Sequence, residues 1–157
     1  MKNNLIEQFF SLVKIDSPTG HEQNVADYIV NYLTPLVDVV KKDKHGNVYA
    51  YISGAGKPVF FASHMDTVEP GRGIKPVRKG KYIISDGTTI LGADNKAALA
   101  SMLELASLLK SKKISHVPVE FIFTHSEESG NYGASSFDYR QLRSRTGYCF
   151  DSNDEKY

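Results

Sequence analysis

A single cysteine, Cys149, stands in the 157-residue chain, which excludes an internal disulfide and points to a reducing compartment. Its place in the apolar run Tyr148-Cys149-Phe150 predicts a buried, inert thiol. No apolar run approaches the roughly 20 residues that a membrane-spanning helix needs. The opening stretch, Met1 to Phe10, is amphipathic and broken by charge, so neither a signal peptide nor a membrane span is expected. Charge of one sign is lacking too. The formal net charge is +1, with basic residues scattered and gathered in no stripe, which removes the electrostatic footprint of a nucleic-acid or anionic-membrane partner. Repeats and low-complexity segments are absent. The expectation is a soluble, cytoplasmic domain with one core, whose partners are small molecules or peptides.

What is present begins with helical stripes. Leu5, Ile6, Phe9, Phe10 and Val13 recur at helical spacing, and Val25, Ile29 and Leu33 form a second stripe after the turn Asp16-Ser17-Pro18-Thr19-Gly20. Val37–Val40 and Val48–Ile52 flank Lys44-His45-Gly46-Asn47 and read as a hairpin, because Gly and Asn tolerate positive φ. Val59–Ala62 is a short buried strand. A second hairpin is expected through Ile74–Arg78 and Tyr82–Ser85, then a long helix carrying Leu99, Met102, Leu103 and Ala106 to about Lys110-Ser111. Val119–Phe123 is a strand, Tyr132–Leu142 a helix and Gly147–Phe150 the last strand. Helices alternating with short apolar strands predict an α/β fold with a mixed, largely parallel central sheet and helices on both faces.

In open α/β sheets ligands bind beyond the carboxyl ends of the strands, and the residues that follow these strands share one chemistry. Val59–Ala62 runs into Ser63-His64-Met65-Asp66, Phe121–Phe123 into Thr124-His125-Ser126-Glu127-Glu128, and Tyr148–Phe150 into Asp151, while Gly92-Ala93-Asp94 opens the long helix. Four segments thus bring imidazole and carboxylate to one edge. His64 and Asp66, two apart in extended chain, share a side, so the carboxylate can orient the ring while its other nitrogen binds a metal. Asp94 has two oxygens and can bridge two cations. Glu127 and Glu128 are adjacent and must diverge, so one can bind metal while its neighbour faces a water that the metal activates.

Each residue alone has a blander reading. A lone His-x-Asp or Glu-Glu pair is commonly solvated surface, Asp94 could cap a helix and Asp151 could sit in a turn. The conjunction at one edge of one sheet favours the metal site. Among the other histidines, His21, His45 and His116 read as solvated. His125, two residues before Glu127, could share its side as a polar neighbour.

Ser63-His64-Met65-Asp66-Thr67-Val68, Ser85–Lys96 with its Leu91-Gly92-Ala93-Asp94-Asn95-Lys96, and Thr124-His125-Ser126-Glu127-Glu128-Ser129-Gly130 resemble the zinc exopeptidase family of peptidase T, glutamate carboxypeptidase and the aminoacylases. The middle motif is most similar to the peptidase T branch, and Ile15-Asp16-Ser17-Pro18-Thr19-Gly20-His21-Glu22 resembles the family's N-terminal signature. The resemblance implies a dinuclear zinc site with Asp94 bridging, His64 and Asp151 on one metal, Glu128 on the other, and Asp66 beside His64. It implies Glu127 as general base on a short peptide substrate, and a cis peptide bond between Asp94 and Asn95.

Members of that family continue into a lid domain and return with a further histidine for the second metal. The resemblance therefore implies that residues 1–157 are the N-terminal portion of a metallopeptidase catalytic domain, with the lid or dimerisation domain and C-terminal portion absent. The isolated chain is then expected to hold at most about one zinc, to be inactive, and to self-associate or require a complementing C-terminal half. An amidohydrolase acting on acyl-amino acids and a catalytically silent metal-binding domain are the alternatives.

Overall fold

The computed structural model describes residues 4–112 and 114–151. Helices α1 (Asn4–Val13) and α2 (Gln23–Leu33) are followed by strands β1 (Val39–Lys42), β2 (Val48–Ile52) and β3 (Val59–His64). Next come β4 (Pro76–Lys79), β5 (Tyr82–Ser85) and the long helix α3 (Ala93–Lys112), then β6 (Val119–Thr124), α4 (Tyr132–Ser136) and β7 (Gly147–Cys149). Five strands form one sheet in the order β1-β2-β6-β3-β7, and β4 and β5 make a separate ribbon. The sheet is mixed, as expected, with parallel pairing confined to its β6-β3-β7 half. Because α3 carries the chain from β3 back to the start of its parallel neighbour β6, the two strands end level, with His64 opposite Thr124.

Alternation along the strands sorts side chains between two faces. Val119, Phe121 and Phe123 of β6 enter a core with Leu12, Val25, Ile29, Leu99 and Leu103, while Ile122 joins Tyr49, Tyr51 and Phe137 on the opposite face. Burial on both sides pins the register, since a one-residue slip would exchange the faces. The three long helices thus cover one face, and the segment around α4 covers part of the other. No helix among the described residues is long and apolar enough to cross a membrane.

Three local features depart from the pattern in the sequence. The helix expected over Tyr132–Leu142 breaks after Ser136, and a single 3₁₀ turn, Tyr139–Gln141, follows. Asp138 explains the break: its carboxylate accepts the backbone N–H of Arg140 at 3.1 Å and pairs with the Arg140 guanidinium at 2.8 Å, competing with the helix for that donor. Cys149 is exposed, not buried. Its strand lies at the sheet edge, paired through β3 alone among the described residues, so the apolar run around it covers only one side. Finally, Asp94 and Asn95 at the start of α3 are not helical, and the peptide bond between them is cis, as the resemblance implied.

Candidate metal centre at the carboxyl edge of the sheet

His64 closes β3, and Met65 then donates its N–H to Thr124 O at 2.8 Å, which holds the two strand ends together. On the other side of β3, the Phe150 N–H reaches Ala62 O at 2.9 Å, so Asp151 emerges beside His64. The Asn95 amide donates to Phe150 O, tying the start of α3 to the same edge. Backbone pairing and the Asn95 side chain therefore bring the four segments together.

His64 is buried at 3% exposure. Its Nδ1 lies 3.0 Å from the Asp66 carbonyl oxygen and 3.4 Å from the Asp66 carboxylate. With the ring proton on Nδ1, the Nε2 lone pair faces Asp94 Oδ1 at 3.0 Å, and Glu127 Oε2 stands 3.9 Å away. Two acceptors at that distance require a positive charge on or between them, either a proton on the ring or a metal ion. Burial pushes the His64 pKa down, but the hydrogen bond and charge of Asp66, followed by Asp94, outweigh it and raise the value to about 9.

Asp66 is fully buried. Its carboxylate accepts the backbone N–H groups of Glu127 at 2.9 Å and Glu128 at 3.1 Å, and the Thr19 hydroxyl at 2.8 Å. Burial pushes its pKa up, yet the bonds from His64, Glu127, Thr19 and Glu128 prevail and hold it at about 2. Glu127 and Glu128 shift the opposite way. Burial raises both, as do the surrounding carboxylates, against the opposing pull of His64.

The donor atoms converge in two groups, His64 with Glu127 and Asp151, and His64 with Asp94 and Glu128, each group lying within 4.8 Å. Five candidate residues thus meet, with Asp66 behind them. The grouping separates Asp151 from Asp94, whereas the resemblance placed both on one metal with His64. One imidazole, one neighbouring carboxylate oxygen and further carboxylates at this spacing form a donor set that suits a divalent metal ion.

His125 turns away. Its Nδ1 is 2.9 Å from Ser126 Oγ, and it borders a cavity of about 140 Å³ with Gly20, Glu22 and His45. Four residues of the site's support carry no role in the sequence reading: Ser17, Thr19, Glu22 and Lys96. Lys96 is buried at 1% exposure, with Nζ 2.5 Å from Ser17 Oγ and 3.1 Å from Met65 O. Burial lowers its pKa to about 7, against the charges of Asp66, Glu22 and Asp16. The N-terminal signature motif includes Ser17, Thr19 and Glu22, and the middle motif ends on Lys96, but neither gave a partner for them.

Buried imidazole and convergent carboxylates at the carboxyl edge of a mixed sheet make a place that could hold a metal ion. The model of peptidase family M28 matches residues 47–152, and the chain belongs to that family. The chain is 42% identical to the uncharacterised protein YqjE of Bacillus subtilis (strain 168), across 95% of this chain and 43% of that protein. It superposes on the aminopeptidase PepT of Bacillus cereus ATCC 10987 with a TM-score of 0.92 at 41% identity, covering 98% of this chain and 44% of that one. A tripeptidase of Staphylococcus aureus subsp. aureus Mu50 gives a TM-score of 0.92 at 36% identity, with 97% and 44% covered. The chain therefore spans less than half the length of these relatives.

Proposed function

We propose that this chain is the metal-holding part of a zinc-dependent peptidase that cleaves short peptides, with Glu127 as the general base. The observation that carries the reading is the buried His64 Nε2 lying 3.0 Å from Asp94 Oδ1 inside a ring of three more carboxylates. Membership of a peptidase family and likeness to an aminopeptidase and a tripeptidase support the substrate class. The single cysteine and near-neutral charge fit a cytoplasmic setting.

His64, Asp94, Glu128 and Asp151 would hold the metal. Zinc, when bound, supplies a Lewis acid that acidifies water and polarises the scissile carbonyl. Asp66 fixes the His64 ring and the backbone of both glutamates. Glu127 lies within reach of the space in front of His64, and its raised proton affinity suits it to accept a proton from water and pass it to the leaving amine. Both donor groups draw on one imidazole, and its single free lone pair can serve only one cation. At most about one zinc per chain is therefore expected.

Elemental analysis and calorimetric titration with zinc test this reading. The parent and Glu127→Gln are expected to hold about one zinc, and Glu128→Gln to lose about tenfold or more in affinity. Turnover is read in a chimera in which residues 1–151 replace the matching part of the Bacillus cereus aminopeptidase. There Glu127→Gln should lower kcat on tripeptides by about 10²–10⁴-fold. Activity close to the parent's would refute Glu127 as the base.

A further inference from the structure

Glu127 and Glu128 are sequence neighbours whose carboxylates belong to different donor groups. The backbone that presents them turns sharply just before them. Ser126 makes that turn, with φ at 49°, in the left-handed region that non-glycine residues avoid. It is buried. Its conformation is held from the far end of the sequence. Glu22 Oε1 accepts the Ser126 N–H at 2.9 Å and the Ser126 hydroxyl at 3.2 Å, and the same oxygen accepts the Gly20 N–H at 2.9 Å.

Glu22 directly precedes α2, yet its side chain makes no capping bond to that helix. Only 7% exposed, it is committed to the loop that presents the glutamates. Past Ser126 the turn closes on itself, with the Gly130 and Asn131 N–H groups both on Glu127 O at 2.9 Å. Asp66 grips the amides of Glu127 and Glu128 from the other side. The loop is thus clamped by two buried carboxylates, of which only Asp66 borders the metal ligands.

We infer that Glu22 is a positioning residue, which holds Ser126 in its left-handed conformation and so aims the carboxylates of Glu127 and Glu128 at their two donor groups. The inference rests on the reading above, in which those two carboxylates have separate tasks. A neutral side chain of the same length retains the accepting oxygen, so length and acceptor matter here more than charge. Glycine takes φ of 49° without steric cost, so Ser126→Gly should replace part of what the tether does.

The test uses the full chain, zinc calorimetry, cobalt(II) visible spectra as a report on ligand geometry, and unfolding midpoints without metal. Glu22→Ala is expected to weaken zinc binding by about tenfold or more and to change the cobalt spectrum, while Glu22→Gln stays close to the parent. Adding Ser126→Gly to Glu22→Ala should recover part of the affinity and spectrum. If Glu22→Ala does not fold, Glu22→Asp decides: one methylene short, it should weaken binding where Glu22→Gln does not. A folded Glu22→Ala (or Glu22→Asp) with the parent's affinity and spectrum overturns the inference, as does a double variant no better than Glu22→Ala. Glu128→Gln is the control. Zinc binding unchanged by that substitution would sink the site reading, whereas a loss there with none at Glu22 would sink the positioning role alone.

Discussion

Asp66 concentrates more of the site than any other single side chain. Its carboxylate carries three hydrogen bonds from Thr19, Glu127 and Glu128, while its ion pair and carbonyl orient His64. Asn in its place could accept with one oxygen only, and its NH₂ would face another donor at the second position. Asp66→Asn should therefore weaken zinc binding by about 10–100-fold and cost about 1–3 kcal/mol of stability, whereas His64→Ala should abolish tight binding. Calorimetry and denaturant unfolding on the three chains give the comparison, and equal zinc loss in both variants would count against this division of roles. At this scale the two-residue spacing of His64 and Asp66 was legible, because extended chain repeats every second residue. That the nearer acceptor for Nδ1 is the Asp66 carbonyl was not, since the chain leaves β geometry after His64. The roles of Glu22 and Lys96 were equally hidden, because both partnerships join residues far apart in sequence.

Among elements, β6 carries an unusual buried charge. Glu120 is fully buried between Val119 and Phe121. It accepts the Tyr49 hydroxyl at 2.7 Å, the Arg143 N–H at 3.0 Å and the Ser144 N–H at 2.8 Å, as well as the Ser144 hydroxyl. This network staples the stretch between α4 and β7 onto the sheet, and so helps place Asp151. Burial pushes the Glu120 pKa up, but the Ser144, Arg143 and Tyr49 bonds outweigh it and leave the carboxyl below its ordinary range. A folded pKa lower than the unfolded value of about 4.3 means that the stabilisation is complete above about pH 4.3 and disappears as pH falls through the folded value. Glu120→Gln should accordingly cost about 2–3 kcal/mol at neutral pH, with the gap to the parent closing below about pH 4. Unfolding curves across that range measure it, and a gap independent of pH would show that the charge contributes nothing. The strands were legible from apolar runs, but this staple was not. Glu120 reads in sequence as one polar residue inside a strand, and the break at Asp138 that shapes the neighbouring segment depends on a local side-chain bond.

For the whole molecule, the sheet's far edge sets the last expectation. The sequence showed which segments are strands and that their ends share one chemistry, because periodicity and strand polarity are local. The order β1-β2-β6-β3-β7 and the exposure of β7 are products of long-range pairing. Strand β7 has β3 on one side and no strand on its other side among the described residues. Along it Phe61 stacks on Tyr148 at 5.9 Å and on Phe150 at 5.6 Å, yet Tyr148 is 58% and Phe150 41% exposed. Open backbone donors beside exposed stacked rings form a surface that another strand can extend. The 157-residue chain should therefore self-associate through this edge, or pair with a complementing segment such as the remainder of a longer relative. Tyr148→Lys places a charge where the partner's rings would sit, and it lies outside the donor groups at the metal centre. Sedimentation velocity over a concentration series should show association in the parent and a shift toward monomer in Tyr148→Lys, with zinc binding retained. A parent that stays monomeric at every concentration would mean that the edge is closed in solution, and would remove the case for a partner at β7.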